Sequence, residues 1–152
     1  MYFEDMQIGH AAHLGTASFT RDSILAYARQ FDLRVLDRAD VGAPLVASGL
    51  HVASAAMRRL VETRAALRAA MAARGDALPE LGVSPGFRDM RWPHPVLEGD
   101  VVSFSTKVVS RRETSKPNWG LVENSLRGIN QHGESVLSFS GFVFAARRTP
   151  EK

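Results

Sequence analysis

The chain has 152 residues, of which 45% are hydrophobic and 23% are charged, a size and composition typical of one globular domain and unlike a disordered chain. It contains no cysteine, which excludes disulfides, thiolate metal sites and a cysteine nucleophile. The formal net charge is only +3 and the basic residues are scattered, so we expect no nucleic-acid partner.

The amino-terminal region carries acidic residues and histidines and has no apolar core segment, so we expect no secretory signal. No uncharged stretch approaches the roughly 20 residues that a membrane helix needs. We therefore expect a cytoplasmic protein without membrane contact, formed by a single domain over residues 1–152. Its mildly basic character suits an anionic small molecule.

The first third of the chain predicts one short strand and one helix. Residues 11–19 can form the strand. Thr20 is a good N-cap, and the apolar residues that follow it recur at helical spacing, which predicts an amphipathic helix over 21–31. Residues 32–47 mix charges with a glycine and a proline and predict an ordered loop with room for a helical turn.

The longest predicted element is a helix over 49–73. Its first half, GLHVASAAM, is small and apolar almost all round, and a helix that is apolar on every side is buried on every side. We therefore expect residues 49–57 to be enclosed and the helix to emerge into solvent from Arg58 onward. Ser48 can cap its start, and Gly75 can end it.

The remaining sequence predicts four strands. Segments 101–109 and 135–145 alternate apolar and polar residues with the period of a half-buried strand. Turn-forming residues separate runs rich in Val, Phe, Leu, Ile, Ser and Thr, which predicts an antiparallel meander. The four runs are 86–94, 100–112, 119–131 and 135–147. The predicted class is therefore α+β, with a sheet wrapped around a central apolar helix.

This order of elements is similar to the hot-dog fold, and four segments resemble the MaoC-like dehydratase and (R)-specific enoyl-CoA hydratase family. They are YFEDMQIGH, APLVASGLHVASAAMRRLVE, GVSPGFRDMRWPHPVLEGDVVSFSTKVV and NQHGESVLSFSGFVFAARR. The resemblance covers nearly the whole chain. It implies an antiparallel curved sheet around a long central α-helix. It also implies a homodimer or higher homo-oligomer with a continuous sheet, which would cover an exposed edge strand.

The resemblance further implies reversible hydration of an enoyl thioester of coenzyme A or of an acyl carrier. The only coenzyme expected is the coenzyme A of the substrate itself, and no metal is expected. The family's catalytic pair is an Asp and a His before the central helix, in a pattern like D-x-N-P-x-H. Such a pair can hold one water, take its proton and return a proton to the α-carbon. N–H groups at the helix start can stabilise charge on the thioester oxygen.

The sequence departs from the family at this motif. Asp32 matches the motif aspartate, but the segment that follows it is LRVLD and contains neither Asn-Pro nor His. Without a gap Asp37 occupies the histidine position, and with a gap Val35 does. The family carboxylate is retained and its histidine is lost.

Five residues are candidates for the site. Asp32 is the candidate acid/base carboxylate, with a solvent-exposed helix-end carboxylate as the alternative. His51, in the first helical turn, is a hydrogen-bonded core histidine, a residue lining the acyl pocket, or a substitute for the lost histidine. The Gly49 amide is an oxyanion donor, or Gly49 only permits tight packing. Ser48 and Ser54 are candidate substrate-binding residues, with an N-cap and close sheet packing as the respective alternatives.

Other chemistry-bearing residues have simpler explanations. The arginine pairs could meet coenzyme A phosphates, but we favour solvated surfaces; they are Arg58-Arg59, Arg111-Arg112 and Arg147-Arg148. Trp92 and the phenylalanines of the predicted strands are expected in the sheet and core. Three functions stay open: a hydratase or dehydratase, a catalytically degenerate module that binds acyl thioesters or builds an oligomer, and an acyl-CoA thioesterase.

Overall fold

A computed structural model describes residues 1–39, 42–78 and 80–148. Its helices and strands follow the predicted order. They are a 3-10 helix Phe3–Asp5, β1 Ala11–Ser18, α1 Arg21–Phe31, a 3-10 helix Leu33–Arg38, α2 Gly49–Ala73, β2 Gly86–Arg91, β3 Val101–Glu113, β4 Trp119–Ile129 and β5 Ser135–Ala146. Both α-helices have the predicted bounds. The predicted 32–47 loop contains the second 3-10 helix, while residues 40 and 41 of that loop lie outside the described residues.

The five strands form one sheet in the order β1-β3-β4-β5-β2, and all neighbours are antiparallel. β3, β4 and β5 are adjacent in sequence and in space, which confirms the predicted meander for three of its four runs. The first run is the exception: β2 does not pair with β3, whose free side is taken by β1, and pairs with β5 at the opposite edge. β1 and β2 form the two edges of the sheet. At one edge, the pairing register of β2 with β5 shifts between Arg88 and Arg91, where Asp89 has a φ of 55°.

The main core lies between α2 and the sheet. Val52 and Ala56 of α2 are buried in one cluster with Phe104 of β3, Leu126 of β4 and Phe139 of β5. α1 contributes its buried residues Ile24 and Ala28, of which Ile24 joins the same cluster. No helix within the three described ranges combines the length and the apolar character needed to span a membrane.

The expectation that residues 49–57 are enclosed on every side is wrong. Val52 and Ala56 are 1% and 0% exposed, but Leu50 is 59% exposed and Met57 is 46% exposed. The apolar side chains of this half divide between a face on the sheet and an outward face. Leu50, Ser54, Met57 and Val61 repeat at helical spacing along that outward face, which we call the outer stripe of α2.

Candidate functional site

Asp32 lies where α1 ends and faces the start of α2. Its backbone leaves the helical region, with φ −150° and ψ 77°, while its N–H still donates to the carbonyl of Ala28 at 3.0 Å. The Ser48 hydroxyl at the start of α2 donates a hydrogen bond to the Asp32 carboxylate. The Asp32 side chain is only 12% exposed. The carboxylate therefore links the end of one helix to the beginning of the other.

Arg34 holds the same carboxylate from the solvent side. Its Nε donates to Oδ1 of Asp32 at 2.9 Å and its Nη2 donates to Oδ2 at 3.2 Å. The hydrogen bond from Arg34, followed by that from Ser48, holds the pKa of Asp32 below its ordinary value. The carboxylate is therefore ionised at neutral pH, and its basicity is weaker than that of a free aspartate.

His51 is enclosed by aromatic rings at the same helix junction. Its imidazole stacks on Tyr27 of α1 at 4.6 Å with an interplanar angle of 6°, and it meets the edge of Phe19 at 5.1 Å. Its Nδ1 is buried and has no hydrogen-bond partner in the described part of the chain. This arrangement does not show the hydrogen-bonded core histidine that was one alternative. Nε2 is the nitrogen through which this ring can act on a ligand.

The burial of His51 predicts a pH-dependent stability. Burial lowers the pKa of His51, so the folded protein binds this proton more weakly than the unfolded chain does. The resulting stability is full above about pH 6.5, the ordinary histidine pKa, and decreases as the pH falls toward the folded pKa.

We expect His51→Phe, which keeps an aromatic ring against Tyr27 and lacks the titrating group, to lose less stability than wild type between pH 7.5 and 5. Chemical denaturation at both pH values measures the difference. An equal loss in both proteins would contradict the assignment to His51.

Position 49 needs a glycine because an indole ring packs directly against it, and not because a ligand needs open space there. Trp92 Nε1 donates to the Gly49 carbonyl at 2.9 Å. A Cβ at position 49 would lie 2.7 Å from Cε2 of Trp92, which is closer than van der Waals contact allows. Gly49 therefore permits tight packing at its Cα, which was one of the two alternatives. The ring that packs there belongs to a residue 43 positions later in the chain.

Ser48 stands at the predicted N-cap position, but its side chain makes no cap hydrogen bond. Its hydroxyl donates a hydrogen bond to the Asp32 carboxylate instead. Val52 is the first residue of α2 whose N–H has a backbone acceptor; it donates to the Ser48 carbonyl at 3.2 Å. Among the described residues, no acceptor is recorded for the N–H groups of Gly49, Leu50 and His51. These groups remain available to a ligand at the positive end of α2.

Ser54 lies away from this junction. Its Oγ donates to the Leu50 carbonyl of its own helix at 2.7 Å, and the residue is exposed on the outer stripe of α2. Within one chain the structure brings Asp32, Ser48 and the first turn of α2 together, with His51 packed against α1 beside them. It does not bring Ser54 to them.

The positions that replace the motif histidine offer no second acid or base. Asp37 is exposed on the 3-10 helix, and Val35 packs against the main core. Sequence reasoning missed Arg34 as the partner of Asp32 and Trp92 as the partner of Gly49. The short Asp-x-Arg spacing was a signal for the first pair, whereas no local pattern indicated the second.

An apolar rim surrounds the helix junction. Phe31 is 70% exposed, Leu33 64% and Leu50 59%, and Trp92, which packs against Gly49, is 41% exposed. Large apolar side chains clustered at a surface mark a binding or association site more often than isolated ones do. The junction therefore combines an ionised carboxylate, unpaired backbone N–H groups and apolar surface.

The favoured surface explanation of the arginine pairs agrees with their contacts. Arg58 Nε lies 2.9 Å from Glu62, Arg147 Nη2 lies 2.9 Å from Glu113, and Arg148 Nη2 lies 2.7 Å from Asp5. Arg111 donates to backbone carbonyls of residues 3, 4 and 6. These cations are engaged within the chain. Across the three described ranges, no group of three or more His, Asp or Glu side chains is placed to hold a metal ion.

Comparison with known proteins gives one partial relative in sequence. No protein-family model matches the chain. Mesaconyl-CoA hydratase of Cereibacter sphaeroides is 32% identical over 78 residues, which is 49% of this chain and 23% of that protein. The chain thus spans less than a quarter of the length of this curated relative.

Comparison with solved structures gives the fold over the full length. A MaoC-like dehydratase from Rhodospirillum rubrum superposes with a TM-score of 0.76 at 24% identity, covering 98% of this chain and 99% of that one. A Mycobacterium tuberculosis protein described as a double hot-dog fold superposes with a TM-score of 0.72 at 21% identity, covering 100% of this chain and 46% of that one. The predicted hot-dog fold and the resemblance to MaoC-like structures are confirmed.

Proposed function

We propose that this chain is a MaoC-like hydratase that adds water reversibly to the double bond of an enoyl thioester of coenzyme A. Support comes from the fold it shares with a MaoC-like dehydratase and from its partial relative, a mesaconyl-CoA hydratase. One observation carries the proposal: an ionised, mostly covered carboxylate faces the start of α2, where the N–H groups have no acceptor within the described chain. That is the pairing of base and oxyanion donors that the reaction needs.

In the proposed reaction the thioester oxygen accepts hydrogen bonds from first-turn N–H groups of α2, including that of Gly49. Asp32 takes a proton from water, and the hydroxide oxygen bonds to the β-carbon of the enoyl group. The π electrons move toward the thioester, and the resulting enolate is stabilised by the helix N–H groups. The protonated Asp32 then delivers its proton to the α-carbon, so the carboxylate is regenerated.

His51 and Ser48 have supporting roles in this proposal. Ser48 orients the carboxylate through its hydroxyl. His51 is kept neutral by burial, so its Nε2 can accept or donate a hydrogen bond to the water or to the substrate. Ser54 would contact the acyl group only if a second chain closed over the outer stripe of α2.

A second candidate is a catalytically degenerate module that binds acyl thioesters. Two observations favour it. Neither position that aligns with the motif histidine supplies a second acid or base, since Asp37 is exposed and Val35 packs against the core. In addition, Arg34 weakens the basicity of Asp32. Binding needs only the helix N–H groups and the apolar rim, whereas turnover also needs a competent base.

One set of measurements separates these functions. Purified full chain is mixed with crotonyl-CoA, and the loss of the conjugated thioester and the release of free thiol are followed in parallel. Hydration without thiol release supports the hydratase. Thiol release identifies a thioesterase instead. Calorimetric binding of butyryl-CoA without either reaction supports the degenerate module and overturns the proposed activity.

We also propose that the protein forms a homodimer or higher homo-oligomer. The outer stripe of α2 supports this, and so does the exposed edge strand β2, whose Phe87 is 62% exposed. Sedimentation velocity should show a species of at least twice the chain mass, and a monomer at micromolar concentration would contradict this.

For localisation we propose the cytoplasm, because an acyl-CoA is a multiply charged substrate that does not cross membranes unaided.

A further inference from the structure

Beneath the carboxyl-terminal half of α2 the helix and the sheet leave two adjoining cavities. Their volumes are about 190 Å³ and 160 Å³. They share five lining residues, which are Leu60, Arg64, Thr106, Asn124 and Val143. Because these residues belong to both, the two spaces meet beside Arg64, and we call the pair the sub-helix cavity. Neither Asp32 nor His51 lines it.

The lining of the sub-helix cavity is mostly aliphatic and contains no carboxylate. Side chains of the larger lobe include Leu14, Leu67, Met71, Leu78 and Leu81. The smaller lobe adds Met57, Leu126 and Phe139. Arg64 is the charged residue common to both lobes, and Thr106 and Asn124 are the shared neutral polar residues. The larger lobe is also lined by His10 and Arg68. The cavity is therefore mostly apolar, and Arg64 lies where its two halves meet.

Arg64 is unusual among the arginines of α2. Arg58 and Arg59 both pair with Glu62, and Arg74, directly after the helix, pairs with Asp76. Arg64 has no hydrogen-bond or ion-pair partner among the described residues, and burial lowers its pKa. A partly desolvated cation without an anion is costly. An anionic group entering the cavity would remove that cost.

The position of Arg64 separates this cavity from the helix junction. Arg64 lies fifteen residues after Gly49 in the same helix, and at about 1.5 Å per residue this is roughly 22 Å. A thioester held by the first-turn N–H groups of α2 therefore cannot place a short acyl group on Arg64. A ligand on Arg64 would therefore be a molecule other than that short-chain thioester.

We propose that the sub-helix cavity binds a medium-chain carboxylate, with the carboxylate on Arg64 and the alkyl chain in the aliphatic lobes. The arginine fork matches a carboxylate in geometry and charge. Thr106 and Asn124 supply further polar atoms at the same point. An apolar cavity of ~150 Å³ accommodates a molecule of the size of benzene, so these lobes suit a chain of about eight carbons. The proposal does not depend on hydratase activity.

Calorimetric titration of the full chain with octanoate and with 1-octanol tests this binding. The two probes share an alkyl chain and differ in charge. We expect octanoate to bind at least tenfold more tightly than 1-octanol. Arg64→Met should remove that preference: its affinity for octanoate should fall at least tenfold, while its affinity for 1-octanol should not change. Arg58→Met, on the same helix but outside the cavity, should bind both probes as wild type does.

Arg64→Met replaces a partly desolvated charge with an apolar side chain of similar length, so we expect it to fold. Arg64→Lys is the second variant, because it keeps the charge and loses the bidentate fork; it should bind octanoate with intermediate affinity. Three results would overturn the proposal: no saturable binding of octanoate, equal affinity for the two probes, or an Arg64→Met variant with wild-type affinity. Displacement of octanoate by octanoyl-CoA would also overturn it, since the cavity would then be an acyl channel.

Discussion

Replacement of Asp32 by asparagine should lower kcat/KM for hydration of crotonyl-CoA by about 10²–10⁴-fold, the usual contribution of a positioned general acid–base group. Asparagine has nearly the same shape and retains an acceptor for Arg34, but it cannot take a proton from water. The fold should be unaffected, because the Arg34 side chain that pairs with Asp32 is 89% exposed and exposed ion pairs contribute little to stability. Initial rates and melting temperature measure the two effects separately.

A matched control lies five positions away. Asp37 is an exposed carboxylate on the adjacent 3-10 helix and aligns with the lost histidine. Asp37→Asn should therefore hydrate crotonyl-CoA at the wild-type rate. If Asp37→Asn were inactive and Asp32→Asn active, the assignment of Asp32 as the catalytic carboxylate would be wrong.

Arg34→Gln should raise the pKa of Asp32 and move the acidic limb of the kcat/KM profile to higher pH.

Phe104→Ala should lower the free energy of unfolding by about 3–5 kcal/mol. Phe104 is 0% exposed and lies in the main core with residues of α2, β4 and β5. Removal of the ring leaves a cavity that the surrounding strands cannot close, because β3, β4 and β5 are held at fixed spacing by hydrogen-bonded pairing. Urea denaturation at one fixed protein concentration measures the loss.

Gly128 provides a specific check on this assignment. It is the cross-strand partner of Phe104, and a Cβ at position 128 would lie 2.9 Å from Cε1 of that ring. Gly128→Ala alone should cost about 1–3 kcal/mol through overpacking. In the double variant the missing ring makes room for the new methyl group, so the combined loss should be smaller than the sum. Val109→Ala, at a 39% exposed position of the same strand, should cost under ~1 kcal/mol. Strict additivity would contradict the contact.

The secondary structure was predictable because each element carries its own period and its own terminal residues. Thr20 does cap α1, accepting a hydrogen bond from the Ser23 N–H at 3.2 Å, and the bounds of α2 follow from its apolar run. The burial of α2 was not predictable in the same way. The apolar run of its first half predicts burial on every side, whereas only the residues that face the sheet are covered in a single chain.

The site was only partly predictable, because its contacts join distant segments. Asp32 could be identified from the motif it retains, but its hydrogen bond from Ser48 depends on how α1 meets α2. Position 49 is a glycine because the ring of Trp92, which follows the edge strand β2, packs against it. Local sequence patterns carry no information about such pairs, and the half-buried, unpaired Arg64 in the sub-helix cavity was missed for the same reason.

The order of the strands also determines when the chain can fold during synthesis. β1 pairs only with β3 in the sheet, so Ala11–Ser18 has no partner until Val101–Glu113 has left the ribosome. At translation rates of ~5–20 residues per second, that interval lasts roughly 5–20 seconds. Throughout it α1 and α2 have no completed sheet to cover their apolar faces. The nascent chain must remain unaggregated until its carboxyl-terminal meander emerges.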